Sequence, residues 1–442
     1  MTPLKLTVIG CGYLGAVHAA CMAALGHDVV GIDIDHDKVR ALSSGRSPFH
    51  EPGLDEILAR GIASGDLRFT AEPTADDVRG RSLHFITVGT PQASDAGAAD
   101  LSHLMCAVSM LAQLLDPQER AVVVGKSTVP VGTARRVEEE LAGVGAYVAW
   151  NPEFLREGYA VDDTLRPSRL VYGLSDDPEA AERGREALDE AYRPLLEAGT
   201  PVIASDFATA ELVKVAANSF LATKISFINA MAEICDATGA DVTMLAQALG
   251  HDERIGRRAL GAGIGFGGGC LPKDIRAFVA RAEELGQGES VAFLKEVDAI
   301  NLRGRSRAVA AAEAALGGSV KGANIAVLGA SFKPDTDDVR DSPALDVASR
   351  LHERGARVRV TDPIALSNAA ADKPYLTMVE DLDAALRDAD LVFLATEWPQ
   401  FVSLDPKEIA PLVRTRTVVD GRNVLDRDEW SAAGWTHVGI GR

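Results

Sequence analysis

Leu6-Thr7-Val8-Ile9-Gly10-Cys11-Gly12-Tyr13-Leu14-Gly15 joins a strand-length apolar run to a G-x-G-x-x-G turn. Apolar residues follow at Ala16, Ala19, Ala20, Ala23 and Ala24, a helical pattern that stops at Gly26. Val29-Val30-Gly31-Ile32-Asp33 reads as the next strand and ends on an acid eighteen residues beyond Gly15. The glycine pattern alone is weak, but a strand before it, a helix after it and an acid at that distance make it specific. Bare glycines let a pyrophosphate approach the helix N-terminus, and an acid accepts hydrogen bonds from a ribose diol. An acid also repels a 2′-phosphate, and no arginine follows closely, so NAD is favoured over NADP. The alternative is the same architecture binding nothing.

The stretch from Leu6 to His27 carries no Asp, Glu, Lys or Arg and resembles a leader or a membrane span. Four glycines and two histidines interrupt it, and strand–turn–helix–strand accounts for every residue, so the membrane reading is rejected. The whole chain has 442 residues, enough for two or three domains. It is 47% hydrophobic with a net charge of −19, which argues against nucleic acid and anionic membrane as partners. Any anionic ligand must then be held by a local cluster of cations. Five scattered cysteines without a CxxC pair fit neither a disulfide framework nor a metal site, and suit a cytoplasmic protein.

The strand pattern continues outward. Ser82–Val88 leads to Gly89-Thr90-Pro91, Arg120–Gly125 leads to Lys126-Ser127-Thr128-Val129-Pro130, and Ala146–Trp150 leads to Asn151-Pro152-Glu153-Phe154-Leu155-Arg156-Glu157-Gly158. Ligands of doubly wound sheets sit at such strand ends, although a Thr-Pro is also simply a turn. Glu153, Arg156 and Glu157 form either a surface ion cluster or a base with a ligand clamp. From Ser205-Asp206, a candidate N-cap, to about Thr238 runs a helix apolar nearly all round, hence expected to be buried. Along it Glu211, Lys214, Asn218, Asn229 and Glu233 recur at helical spacing, with Lys214 and Asn218 on one face. Lys214 either pairs with Glu211 in the core or has a function.

Gly265-Phe266-Gly267-Gly268-Gly269-Cys270-Leu271-Pro272-Lys273-Asp274 follows. A thiol near a cation is a setting for a thiolate nucleophile; the alternative is a flexible loop with a structural cysteine. A long amphipathic helix runs from about residue 290 to 316, of the kind that bridges domains or forms subunit interfaces. The last third then repeats the first at the level of strand–helix–strand units: Ala323–Gly329, a helix from Pro343 to Glu353, and strands ending at Asp362, Thr396 and Asp420. It lacks G-x-G-x-x-G, and the cations of Phe332-Lys333 and Arg340 occupy the corresponding loop, which suggests a second anionic ligand. The expected fold is α/β: two Rossmann-like doubly wound domains (1–204 and 319–442) joined by a central helical domain (205–318) with a long connecting helix.

Together, GCGYLG at 10–15, STVPVGT at 127–133, NPEFLREG at 151–158, ELVKVAANSFLATKISFIN at 211–229, GFGGGCLPKD at 265–274, FKPDTDDVRDSP at 332–343 and DGRN at 420–423 closely resemble the UDP-glucose 6-dehydrogenase family across essentially the whole chain. NPEFLREG is more like the UDP-glucose enzymes than the N-acetylhexosamine branches, and GDP-mannose dehydrogenases share much of the rest. Gly89 and Gly269 are small departures from the pattern. The resemblance implies a four-electron oxidation of a sugar-nucleotide primary alcohol to the acid with two NAD. Cys270 would trap the intermediate aldehyde and carry the thioester, so that one NADH can leave and another NAD enter. Lys214 and Asn218 would stabilise oxyanions, Asp274 would order a water or act as base, Glu153 would be the base in hydrolysis, and Thr128 would position water.

By the same match Gly10, Gly12, Tyr13, Leu14, Gly15, Asp33, Lys38, Thr90, Thr128, Glu157, Lys273 and Arg340 would face NAD. Glu153, Phe154, Leu155, Arg156, Glu157, Lys214, Asn218, Arg254, Gly261, Gly263, Gly265, Phe266, Gly267, Phe332, Lys333 and Arg422 would face UDP-glucose. The residue matching Arg254 reaches into a neighbouring subunit in relatives, which implies a homodimer or larger oligomer. Two other readings are a two-electron β-hydroxyacid dehydrogenase, which would not need Cys270 or a second nucleotide-binding domain, and a non-catalytic dinucleotide-binding scaffold.

Overall fold

The computed structural model describes residues 3–93 and 97–442. Two compact units emerge, residues 1–217 and 218–442, and the boundary falls inside one helix, Phe207–Thr238.

The first unit is built on eight strands: β1 (Lys5–Ile9), β2 (Asp28–Ile32), β3 (Leu67–Thr70), β4 (Leu83–Ile86), β5 (Val122–Gly125), β6 (Tyr147–Trp150), β7 (Leu170–Leu174) and β8 (Val202–Asp206). Their order is β3-β2-β1-β4-β5-β6-β7-β8, parallel except where β6 meets β7 at Trp150 and Gly173. Helices cover both faces, so the central strands read as nearly unbroken apolar runs such as Leu6 to Ile9 and Val122 to Val124, all buried. The chain reverses its direction of winding between β1 and β4, which opens a crevice at their carboxyl ends. Within these two strands, away from that crevice, two buried polar side chains interrupt the apolar pattern, Thr7 on β1 and His84 on β4, and they bond to each other at 2.8 Å.

The second unit repeats the topology with β9 (Asn324–Leu328), β10 (Arg357–Thr361), β11 (Thr377–Met378), β12 (Leu391–Leu394), β13 (Thr417–Asp420) and β14 (Thr436–Gly439), in the order β11-β10-β9-β12-β13-β14. All these pairs are parallel. The helices Val242–Gly250, Leu271–Glu284 and Phe293–Ala315 precede the sheet. The two doubly wound sheets and the helical segment between them therefore appear as expected.

Two local expectations change. Of the candidate cap Ser205-Asp206, both at the end of β8, it is Asp206 that caps the long helix, its carboxylate accepting from Thr209 N at 2.8 Å and Thr209 Oγ1 at 2.9 Å. That helix is also not buried all round. Its polar stripe (Glu211, Lys214, Asn218, Asn229) is buried, whereas Leu212, Phe220, Leu221, Phe227 and Ile234 are exposed. Counting apolar positions shows how much of a helix avoids water, but not whether the same chain provides the cover.

Candidate active site

In the first unit the glycine turn is shaped by close approach. A Cβ on Gly15 would strike the carbonyl of Gly10 and the hydroxyl of Thr87, and Thr87 Oγ1 itself donates to Gly10 O at 2.8 Å. A Cβ on Gly12 would meet nothing within 4 Å, and Gly12 begins the helix Tyr13–Ala24 with no side-chain cap. An uncapped, side-chain-free helix N-terminus fits a dinucleotide pyrophosphate. Leu14 is half-buried in its first turn. At the end of β2, Asp33 is 8% exposed; it accepts from Asp35 N at 3.0 Å and lies 3.2 Å from Lys38 Nζ. Thr90 and Thr128 come together at neighbouring strand ends, the Thr90 hydroxyl donating to Thr128 O at 2.7 Å. Gly89 has open space around it, so a larger residue would fit.

Tyr13 does more than line the turn. Its hydroxyl donates to the carboxylate of Glu51 and accepts from Gly158 N at 2.9 Å. Buried Glu51 also accepts from Gly158 N and Ala160 N, each at 2.7 Å. The turn that carries the cofactor motif is thereby tied to the end of the 153–158 segment. Sequence reading missed Glu51, which lies in an ordinary-looking loop far from both partners.

The segment after β6 resolves the question left by its charges. Arg156 is the surface ion pair, fork-bonded to Asp163 at 2.9 and 2.7 Å. Glu153 is different. One oxygen accepts from Phe154 N at 2.7 Å and Leu155 N at 3.0 Å, and the other lies 3.0 Å from Lys126 Nζ. Burial pushes this carboxyl up, but the Lys126 ammonium and the hydrogen bonds outweigh burial and hold it below the ordinary glutamate range. Glu157 is half-buried beside it in sequence. Phe154 receives two cations over its ring, Arg169 at 4.0 Å and Lys214 Nζ at 5.6 Å. Glu211 binds Gly132 N at 2.7 Å and Ala134 N at 2.6 Å, at the start of the helix Thr133–Leu141. Lys214 is accordingly oriented toward the Phe154 segment.

In the second unit the glycine loop is clamped rather than flexible. Buried Asn301, on the helix Phe293–Ala315, accepts from Phe266 N at 2.8 Å and donates to Phe266 O at 3.0 Å. Buried Arg305, one turn on, bonds Asp341 Oδ1 at 2.8 Å and Phe266 O at 3.3 Å. Asn229 accepts from Gly263 N at 2.8 Å. Side chains on Gly265 and Gly267 would collide with Asn301 and with the carbonyl of Asp341; one on Gly268 would sit 2.9 Å from the Phe332 ring. At the departure position Gly269, a Cβ would meet the Arg340 guanidinium. The glycines allow close packing against fixed neighbours.

That clamped loop ends at Cys270, whose side chain is exposed and whose residue is the N-cap of Leu271–Glu284 with no side-chain cap bond. The first-turn N–H groups and the helix dipole favour negative charge there. Asp274, 2% exposed, accepts from Asn218 Nδ2 at 2.6 Å and pairs with Lys273 Nζ at 2.7 Å. Arg422 braces three segments, donating to Ala395 O at 2.7 Å, Gly265 O at 2.9 Å and Phe332 O at 3.2 Å. Lys333 Nζ lies 5.7 Å from the Phe332 ring centre, and Arg340 is fork-bonded to Asp338. Gly261 is exposed. Arg254 stands apart from this cluster, its side chain 89% exposed and paired with Asp252. The clamps Asn301 and Arg305 were not singled out from sequence; a buried Asn and Arg one helical turn apart in a long helix is the signal that was available.

Comparison with known proteins identifies the family. Three models of the UDP-glucose/GDP-mannose dehydrogenase family match in succession: its NAD binding domain over residues 4–196, its central domain over 208–303 and its UDP binding domain over 326–427. A UDP-glucose 6-dehydrogenase of Rhizobium meliloti is 42% identical over 99% of this chain and 100% of its own length. UDP-glucose 6-dehydrogenase TuaD of Bacillus subtilis is 40% identical over 99% of this chain and 93% of its own. A solved UDP-glucose dehydrogenase from Pyrobaculum islandicum superposes with a TM-score of 0.89 at 41% identity, covering 100% of this chain and 98% of that one.

Proposed function

The chain belongs to the UDP-glucose/GDP-mannose dehydrogenase family, and from that premise we propose that it is an NAD-dependent UDP-glucose 6-dehydrogenase, producing UDP-glucuronate. The observation that carries the reading is Cys270 at an uncapped helix N-terminus, exposed, on a loop clamped by Asn301 and Arg305. A two-electron alcohol dehydrogenase has no use for such a thiol; a four-electron one does, because its aldehyde must be retained between two oxidations.

When bound, NAD accepts the hydride lost from C6 in each oxidation. Gly10, Gly12, Tyr13, Leu14, Gly15, Asp33, Lys38, Thr90, Glu157, Lys273 and Arg340 are the groups assigned to hold it. Cys270 sulfur adds to the aldehyde carbon, and the resulting oxyanion is held by the Lys214 ammonium and by the second N–H of Asn218, whose first is committed to Asp274. Each such donor is worth about 3 kcal/mol in comparable sites. After the second oxidation the thioester carbon takes a hydroxide derived from water, the C–S bond breaks, and Glu153 receives the water's proton. Thr128 and Asp274 order water. Glu153 to Glu157, the loop 261–267, Phe332, Lys333, Arg422 and Arg254 are assigned to the sugar nucleotide.

The same proposal divides the chain at 204 and 318, places the protein in the cytoplasm and makes it a homo-oligomer. The oligomer is supported by the exposed apolar row Phe220, Phe227 and Ile234 on the long helix, with Phe220 68% exposed, and by the outward Arg254. Among the described residues no helix is long and apolar enough to cross a membrane.

Counting NADH released per sugar across a panel of UDP- and GDP-sugars tests the reading. Two equivalents with UDP-glucose, and none of the acid from Cys270→Ala, are expected. One equivalent per sugar, or a preference for a GDP-sugar, would replace this function with another.

A further inference from the structure

We propose that Lys126 is a positioning residue for thioester hydrolysis: it acts through Glu153, holding that carboxylate oriented to accept the proton of the attacking water. The inference rests on the function proposed above and adds a group to its hydrolytic step.

Lys126 directly follows β5, is 4% exposed, and has three acceptors for its three N–H groups. These are Glu153 Oε2 and Asn151 Oδ1, each at 3.0 Å, and the Tyr192 hydroxyl at 3.4 Å. The acceptors are themselves fixed. Tyr192 donates to Asn151 Oδ1 at 2.8 Å, and Asn151 Nδ2 donates to Val171 O at 2.9 Å on β7. A buried ion pair is a poor way to stabilise a sheet, because desolvation opposes the attraction. This one lies at the carboxyl end of the sheet, where ligands of such folds bind, and its acid partner is the residue assigned to hydrolysis.

Phe154 N and Leu155 N fix one oxygen of Glu153; Lys126 fixes the other. The groups acting on or near Glu153 come from four places: Lys126 just after β5, Lys214 on the long helix, Tyr192 after the helix Pro178–Ala191, and Cys21 on Tyr13–Ala24. Burial raises the carboxyl's affinity for a proton, Lys126 is the largest influence opposing it, and Lys214 adds to that opposition. In the step itself water loses a proton to Glu153 as its oxygen bonds to the acyl carbon. The C–S bond then breaks, the leaving thiolate takes a proton from solvent, and Glu153 and the product acid each release one to solvent. Glu153 must therefore begin each cycle charged and aimed, which is what Lys126 provides.

The test uses full-length Lys126→Met and Lys126→Gln, the second keeping a hydrogen-bonding amide should the first fail to fold. Acid formation from radiolabelled UDP-glucose is followed against pH, with rapid quenching to measure label bound to protein. In Lys126→Met the acid limb of the hydrolysis profile should move up by about one pH unit or more. Label on the protein should rise about tenfold, while KM for NAD and for sugar changes less than about threefold. Lys126→Gln should lie between. In a Glu153→Gln background, adding Lys126→Met should change acid formation less than about twofold. An unshifted profile with no trapped label, or a further tenfold loss in the Glu153→Gln background, would overturn the proposal. A wild-type enzyme that fails to release two NADH per sugar would instead overturn the function on which it rests.

Discussion

The two sheets follow one design and treat its mouth in opposite ways. Each has a glycine at the end of its first strand bonded to the second strand, Gly10 N to Ile32 O at 2.7 Å and Gly329 N to Thr361 O at 2.8 Å. Each has a threonine after its fourth strand that donates to a carbonyl of the first loop, Thr87 to Gly10 O at 2.8 Å and Thr396 to Ser331 O at 2.7 Å. Each has an acid just beyond its second strand, Asp33 and Asp362. In the first sheet a helix starts at Tyr13, three residues past the glycine, and Asp33 accepts from Asp35 N at 3.0 Å and from Lys38 Nζ at 3.2 Å. In the second, the helix does not begin until Pro343. The intervening loop folds back onto Asp362, which accepts from Ala330 N, Ser331 N, Ser331 Oγ, Trp398 Nε1, Ile364 N and Ala365 N at 2.7 to 3.1 Å. The acid proposed to meet a ribose in one sheet corresponds to a structural hub in the other. A Rossmann-like topology therefore does not by itself make a dinucleotide site; the length of the first loop decides.

The strongest way to break this comparison is to remove each acid. Asp362→Ala removes the acceptor shared by six donors, five of them buried, and should destabilise the second unit by on the order of 4 kcal/mol, read as a lower denaturant midpoint. An Asp362→Ala protein of unchanged stability would show that the hub is incidental.

Acid pH provides a second separation. Burial is the largest influence on His84 and holds its titration down from 6.5 to about 4; burial likewise lowers His18, helped by nearby Lys126. A group whose folded titration lies below its unfolded one contributes stability in full above the unfolded value and loses it as pH falls through the folded value. His84 should therefore withdraw about 3 kcal/mol from the first unit between pH 6.5 and 4. Hydrogen exchange at pH 7 and pH 4.5 should show β1 and β4 amides losing protection ahead of those of β9 and β12. His84→Gln should flatten the dependence.

What the sequence disclosed follows the same line. The open sheet was legible because the groups assigned to its ligand are local: a glycine turn, a helix start and an acid within 24 residues, Gly10 to Asp33. The thiol loop was legible as a run of glycines leading to Cys270. The rest depends on distant partners. Lys126 meets Glu153 and Tyr192 across the sheet, Glu51 reaches Tyr13 and Gly158, and Asn301 holds Phe266 from 35 residues away. None of these pairings leaves a periodic trace. The long helix misled in the opposite direction, since periodicity shows which faces avoid water but not whether a second copy covers them.

The smallest expected effects are the most discriminating, because they concern the open sheet alone. Asp33→Ala should leave stability nearly intact and raise KM for NAD about 10- to 100-fold, one lost pair of ribose hydrogen bonds being worth about 1.5 to 3 kcal/mol. It also releases Lys38 Nζ, now 3.2 Å from that carboxylate, and leaves it only the longer 3.9 Å pair with exposed Asp35. A cation in that position favours a 2′-phosphate, so Asp33→Ala should gain activity with NADP as it loses activity with NAD. Lys38→Ala alone removes a partly exposed pair worth about 1 kcal/mol or less, and should change KM for NAD only about threefold. Added to Asp33→Ala, it should abolish the NADP gain. Steady-state kinetics of the two single variants and the double variant with both cofactors measure this directly. If the NADP gain survives in the double variant, Lys38 does not face the ribose, and the open site is held differently from this account.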